Sequence, residues 1–145
     1  MKTVALRFSN QFAPVGGTIK AHKALINKYG FVWYGKLGLP LSQKAVNYVM
    51  SNSTPKLLLI HSGTSARYWA YVSEVKRECP NIEYIPTYYR NDTDKFKTWF
   101  KVTRFESAPK DIMGRSYVIS SGAVLGQVSK RSMSPYFMIE VQGEE

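Results

Sequence analysis

Residues 55–77, PKLLLIHSGTSARYWAYVSEVKR, constrain the fold more than any other part of this 145-residue chain. Leu57, Leu58, Leu59 and Ile60 form an unbroken apolar run between Pro55 and Gly63, the pattern of a strand covered on both faces. The polar stretch Ser62, Gly63, Thr64 and Ser65 has the composition of a hairpin turn. Residues 68–75 mix aromatic and β-branched side chains before Lys76 and Arg77, as a return strand does. A hairpin buried on both sides needs other segments to cover it twice. It therefore predicts the centre of a small barrel or curved sheet.

The flanking segments supply that cover. Residues 3–8 read as a first strand, followed by a loop at 9–17 with Pro14 and the Gly16–Gly17 pair. Thr18 is placed to cap a helix in which Ile19, His22, Ile26 and Tyr29 recur at helical spacing, and Gly30 stops it. His22 is expected to be a packed residue and not a ligand, since no second histidine or carboxylate accompanies it. Residues 31–34 predict a short strand, and the turn Gly35, Lys36, Leu37, Gly38 follows. Pro40 and Ser42 open a second helix with Ala45, Val46, Val49 and Met50 as its buried stripe. The first half thus reads β-α-β-α-β-β. Residues 78–97 are irregular and aromatic. Residues 98–106 predict a strand with Trp99, Lys101, Thr103 and Phe105 on one face and Phe100, Val102 and Arg104 on the other. Residues 113–133 read mostly as loop, and 136–141 as a last strand. The length suits one α+β domain spanning residues 1–145.

Charge points to the partner. Twenty Lys and Arg face ten Asp and Glu, a formal net charge of +10. The first acidic residue is Glu74, and nine basic residues precede it. A positive field this lopsided suits a polyanion, most often nucleic acid. Enzymatic readings find little support. The chain has no CxxC, no HExxH and no G-x-G-x-x-G between strand and helix, and Gly35-Lys36-Leu37 lacks the hydroxyl residue of a P-loop. His61 and Ser62 are adjacent on a strand, so they point apart and make a poor base–nucleophile pair. Cys79 is alone, which leaves no disulfide framework and no thiolate metal site. No apolar stretch approaches the roughly 20 residues of a membrane span, and a cytoplasmic chain without a cofactor is expected.

Gly30-Phe31-Val32-Trp33, a helix of suitable length, and LLLIHSGTSARYWAYVSEV together resemble the EVE and YTH domains of the PUA-like superfamily. TWFKVTRFESAP is similar to their later aromatic and basic strand, and residues 121–133, with Arg131, to their last Ser-rich basic loop. The resemblance covers most of the chain in order. It implies a small twisted β-barrel flanked by helices that binds nucleic acid and holds a modified base, flipped out of its strand, in an aromatic pocket. Trp33 falls on the position of the family's first cage tryptophan, with Tyr34 beside it. Tyr88, Tyr89 and Phe96 would supply the second cage aromatic, Ser9 and Asn10 the polar groups at the base edge, and Ser62 and Gly63 part of the wall. Lys20, Lys23, Lys36, Arg67, Lys130 and Arg131 are the expected phosphate contacts. DNA is favoured over RNA by analogy with the front domains of McrBC-type modification-dependent restriction GTPases. That analogy also implies an effector NTPase or nuclease, fused or associated. Two alternatives stay open: an RNA-binding PUA-like module without modification preference, and a small-molecule or protein-binding module with an incidental basic face.

Overall fold

A computed structural model describes residues 1–144. The chain runs β1 (Lys2–Phe8), α1 (Gly17–Tyr29), β2 (Val32–Leu37), α2 (Gln43–Met50), β3 (Lys56–His61) and β4 (Arg67–Lys76). Three 3-10 turns follow at Ile82–Tyr84, Thr87–Tyr89 and Thr93–Lys95. Then come β5 (Phe96–Ser107), α3 (Ile112–Arg115), β6 (Ser116–Val118), α4 (Leu125–Arg131) and β7 (Tyr136–Val141). The strands form one mixed sheet in the order β2-β5-β4-β3-β1-β7-β6. Only β1 and β3 pair in parallel; every other neighbour is antiparallel. The β3–β4 hairpin lies where its apolar run predicts, and β3 is the middle strand.

The sheet is not a closed barrel. β2 and β6 remain its two edges, and no ladder joins them among the described residues. It nevertheless curls, because Val4, Leu6 and Phe8 of β1 share one core with Val32 and Tyr34 of β2, on the far side of the sheet order. Leu57, Leu59, Ala70, Val72, Phe100 and Val102 complete that inner layer, and the apolar stripes of α1 and α2 pack on it. The opposite face of β1, β3 and β4 forms a second core of Ala5, Leu58, Ile60 and Trp69 under α3, β6 and α4. A third, aromatic cluster of Trp33, Ile85, Tyr89, Phe96 and Trp99 lies behind β2 and β5. The irregular segment covers it.

Four local expectations need correction. The segment 113–133 is not mostly loop: it carries α3, β6 and α4, each too short to show a periodic pattern. β2 continues through Leu37, so the chain reverses at Gly38, where φ is 76°. The alternation along β5 breaks, because Tyr71 opposes Arg104 while Val72 opposes Val102, leaving Thr103 as an unpaired extra residue. That bulge turns Phe105 into the same core as Phe100 and Val102. Thr18 is not the cap of α1. The cap position is Gly16, at φ 101°, and the Asn10 side chain accepts the Thr18 N–H at 3.0 Å. Ser42 does cap α2, accepting from the Ala45 N–H at 3.2 Å. At Gly35 an added Cβ would lie 2.5 Å from Phe96 Cδ1 and 3.0 Å from Trp99 Cζ3, so the aromatic cluster closes onto bare backbone there.

Candidate nucleic-acid interface

Curling the sheet brings the end of β1 opposite the end of β2 and leaves a cavity of 460 Å³ between them. That volume lies within the roughly 300–1,000 Å³ common for small-ligand sites. Phe8 and Ser9 form one side with the loop residues Gln11, Phe12 and Ala13. Tyr34, Gly35, Lys36 and Leu37 form the other, and Tyr88, Tyr89 and Phe96 close it from the irregular segment. Leu6, Arg7, Thr18, Asp92, Lys95 and Pro135 complete the lining. The walls are therefore flat and apolar, with a few polar groups among them.

His22 supports the tyrosine wall from behind. Its ring is fully buried, 5.0 Å from that of Tyr34 and 5.4 Å from that of Tyr89. Nδ1 lies 2.8 Å from the Thr18 carbonyl oxygen. A carbonyl only accepts, so Nδ1 carries a proton. Nε2 is buried without a partner, and burial pulls the pKa down from 6.5 to about 4. Burial also pushes the phenols of Tyr34, Tyr88 and Tyr89 upward, so they keep their protons near neutral pH and remain donors.

Of the expected base-pocket residues, Ser9, Tyr34, Tyr88, Tyr89 and Phe96 line this cavity and four do not. Trp33 is 5% exposed, faces the opposite side of β2 from Tyr34, and packs in the aromatic cluster with Lys76 Nζ 4.6 Å from its ring centroid. Neighbouring strand residues point to opposite faces, so Trp33 and Tyr34 cannot share one pocket. Asn10 is spent on capping α1. Ser62 and Gly63 sit at the exposed tip of the β3–β4 hairpin, outside the lining.

The expected phosphate contacts divide in the same way. Lys36 lines the cavity but is only 6% exposed, and its ammonium donates to the Leu37 and Leu39 carbonyls at 3.2 and 2.7 Å. Burial lowers its pKa. Arg67 donates to the Thr64 and Ala66 carbonyls at 2.8 and 2.7 Å, tying down its own turn. Lys20 and Lys23 are exposed on α1, and Lys130 and Arg131 at the end of α4. Both helix ends adjoin the cavity. Thr18 in the first turn of α1 lines it, and Arg7 joins it to α4 by donating to the Ser129 and Ser132 carbonyls at 2.6 and 2.7 Å. The sequence reading missed Arg7, Phe8, Gln11 and Phe12 as lining residues. Phe12 alone left a trace, as a large aromatic in a loop otherwise made of turn formers.

Among the described residues, no helix is long and apolar enough to cross a membrane. No curated protein and no solved structure gives a significant match. A family model described as Pua-like matches residues 4–133, and domains of this kind generally bind nucleic acids. Because that match spans most of the sequence, the chain belongs to the Pua-like family.

Proposed function

We propose that the cavity receives a nucleobase turned out of its strand and selects one that carries a modification, a methyl group before others. The observation that supports this reading is the lining itself: the rings of Phe8, Tyr34, Tyr88 and Phe96 border the cavity, beside hydroxyl and amide groups. Aromatic faces stack an unpaired base, and an apolar wall accepts an added methyl that water would not favour. Lys20, Lys23, Lys130 and Arg131 hold the phosphates on either side. DNA in preference to RNA, and service to an associated NTPase or nuclease, follow from the resemblance to restriction-system recognition domains. The reading assigns no reaction to this chain.

A binding panel of methylated and plain DNA and RNA oligonucleotides tests it, with the protein as it is and as Tyr88→Leu. Tyr88 is half-buried, so leucine preserves the packing. The methylated strand should bind tighter, and Tyr88→Leu should lose the stacking of one base, roughly five- to a hundredfold in affinity. Equal binding of methylated and plain strands sinks the selectivity and favours the RNA-binding module without modification preference.

Salt gives an independent check. Neutralising several phosphates releases counterions, so affinity should fall at least roughly tenfold between 50 and 200 mM salt. Charge reversal at Lys20 and Lys23 should weaken binding to methylated and plain strands alike, because phosphate contacts carry no base information. An affinity flat in salt would remove nucleic acid as the partner and leave the small-molecule or protein-binding alternative.

A further inference from the structure

Phe12 is 75% exposed at the mouth of the cavity, and the loop that carries it is braced throughout. The Ala13 N–H donates to the Asn10 carbonyl at 3.1 Å and the Gly17 N–H to that of Pro14 at 3.0 Å. The Asn10 side chain accepts from the Thr18 N–H, and the Thr18 hydroxyl donates to the Ser9 carbonyl at 3.1 Å. Gly16 and Gly17 take φ of 101° and 91°, which only glycine adopts readily. The loop is thus fixed by its own hydrogen bonds while its one aromatic ring stays in water. With the backbone already fixed, only the side-chain rotation of Phe12 is lost when something flat settles on its ring.

The surroundings narrow the occupant. Leu37, the last residue of β2, also lines the cavity and is exposed, and Val15 and Leu39 are exposed on the adjoining loops, so the surface around Phe12 is largely apolar. Of the cations that line the cavity, Arg7 and Lys36 are bound to backbone carbonyls and Lys95 is ion-paired with Asp92 at 3.0 Å. Each of these lining cations already has a partner, whereas the exposed ring of Phe12 offers a base an open aromatic face. We infer that Phe12 forms a second base subsite, stacking the nucleotide adjacent to the one held in the cavity, so that the protein engages at least two consecutive nucleotides. This rests on the reading of the cavity as a base site. It assigns a substrate class: a strand unpaired over the captured base and one neighbour.

The test uses five-nucleotide single strands with a methylated central base and an abasic residue in place of its 5′ or its 3′ neighbour, and a duplex of the same sequence. With the native protein, one of the two abasic strands should bind roughly five- to a hundredfold more weakly than the intact strand. Phe12→Ala should bind the intact strand as weakly as that abasic one, and Phe12→Trp should restore the difference. Because the ring is largely in solvent, Phe12→Ala should melt as the native protein does. The duplex should bind more weakly than the single strand, since both bases must first leave their stack. Indifference to both abasic positions, a neighbour dependence unchanged in Phe12→Ala, or a duplex bound as tightly as the single strand each overturn the second subsite. Tyr88→Leu separates this from the cavity. If it weakens every strand while Phe12→Ala changes nothing, the second subsite fails alone. If Tyr88→Leu is silent and Phe12→Ala is not, the cavity reading fails.

Discussion

Trp33→Ala should lower the melting temperature by roughly 10–20 °C, the combined expectation from truncating a buried tryptophan, about 3–5 kcal/mol, and the Tm response of a chain this size. The indole is 5% exposed and packs against Ile85, Tyr89, Phe96 and Trp99, so its removal empties the middle of the aromatic cluster. Tyr89 and Phe96 belong to both that cluster and the cavity wall. The loss should therefore reach the base site through slackened support, with weaker binding near the transition and little change well below it. Trp33→Phe, which keeps a ring in place, should recover most of the stability. The measurement is thermal unfolding of the three proteins, paired with affinity for methylated and plain strands at low temperature. A Trp33→Ala protein that melts normally yet has lost its preference for the methylated strand would put the indole back in the pocket and contradict its packing behind β2.

The sequence made the centre of the fold legible because the relevant signals were local. Leu57 to Ile60 could only be a strand buried on both faces, and it became the middle of the sheet. Gly30 and Ser42 marked helix ends through backbone geometry that depends on near neighbours alone. Signals failed where the deciding contact was distant. Nothing near Thr103 announces the bulge that returns Phe105 to the core, and α4 is held by Arg7, more than a hundred residues earlier. Barrel closure was expected from family resemblance, and short strands at the two edges give no sequence sign of whether they meet. The site shows the same division. Tyr88, Tyr89 and Phe96 stood out as aromatics in a segment with no strand or helix to bury them, and they do line the cavity. Trp33 was placed beside Tyr34 by motif position, against the alternation that sends neighbouring strand residues to opposite faces. Arg7 and Phe8 lie at the end of a strand, and no local pattern there shows that the curl of the sheet brings the end of β2 opposite them to enclose the cavity.

His22 should make the protein acid-sensitive in a defined window. In the unfolded chain its ring takes up a proton as pH falls through about 6.5, whereas in the folded chain desolvation by burial holds the pKa at about 4. Between those values the unfolded state binds more protons, so stability falls as pH falls. The contribution of the neutral ring is fully present above about pH 6.5 and declines steadily below it, reaching a loss of about 3 kcal/mol near pH 4. The source is specific: Nδ1–H is committed to the Thr18 carbonyl, and a proton on Nε2 would put a charge among Tyr34, Tyr89 and Phe105 with no acceptor for it. Urea unfolding of the native protein and of His22→Phe at several pH values between 7 and 4 isolates the effect, because the carboxylates titrate in both and cancel in the difference. The native protein should lose stability through this range faster than His22→Phe does. The variant, which forfeits the Thr18 hydrogen bond, should start lower at pH 7 and converge with the native protein toward pH 4. Parallel stability curves for the two proteins would show that His22 is solvated or charged in the folded state, and would remove it from behind the cavity wall.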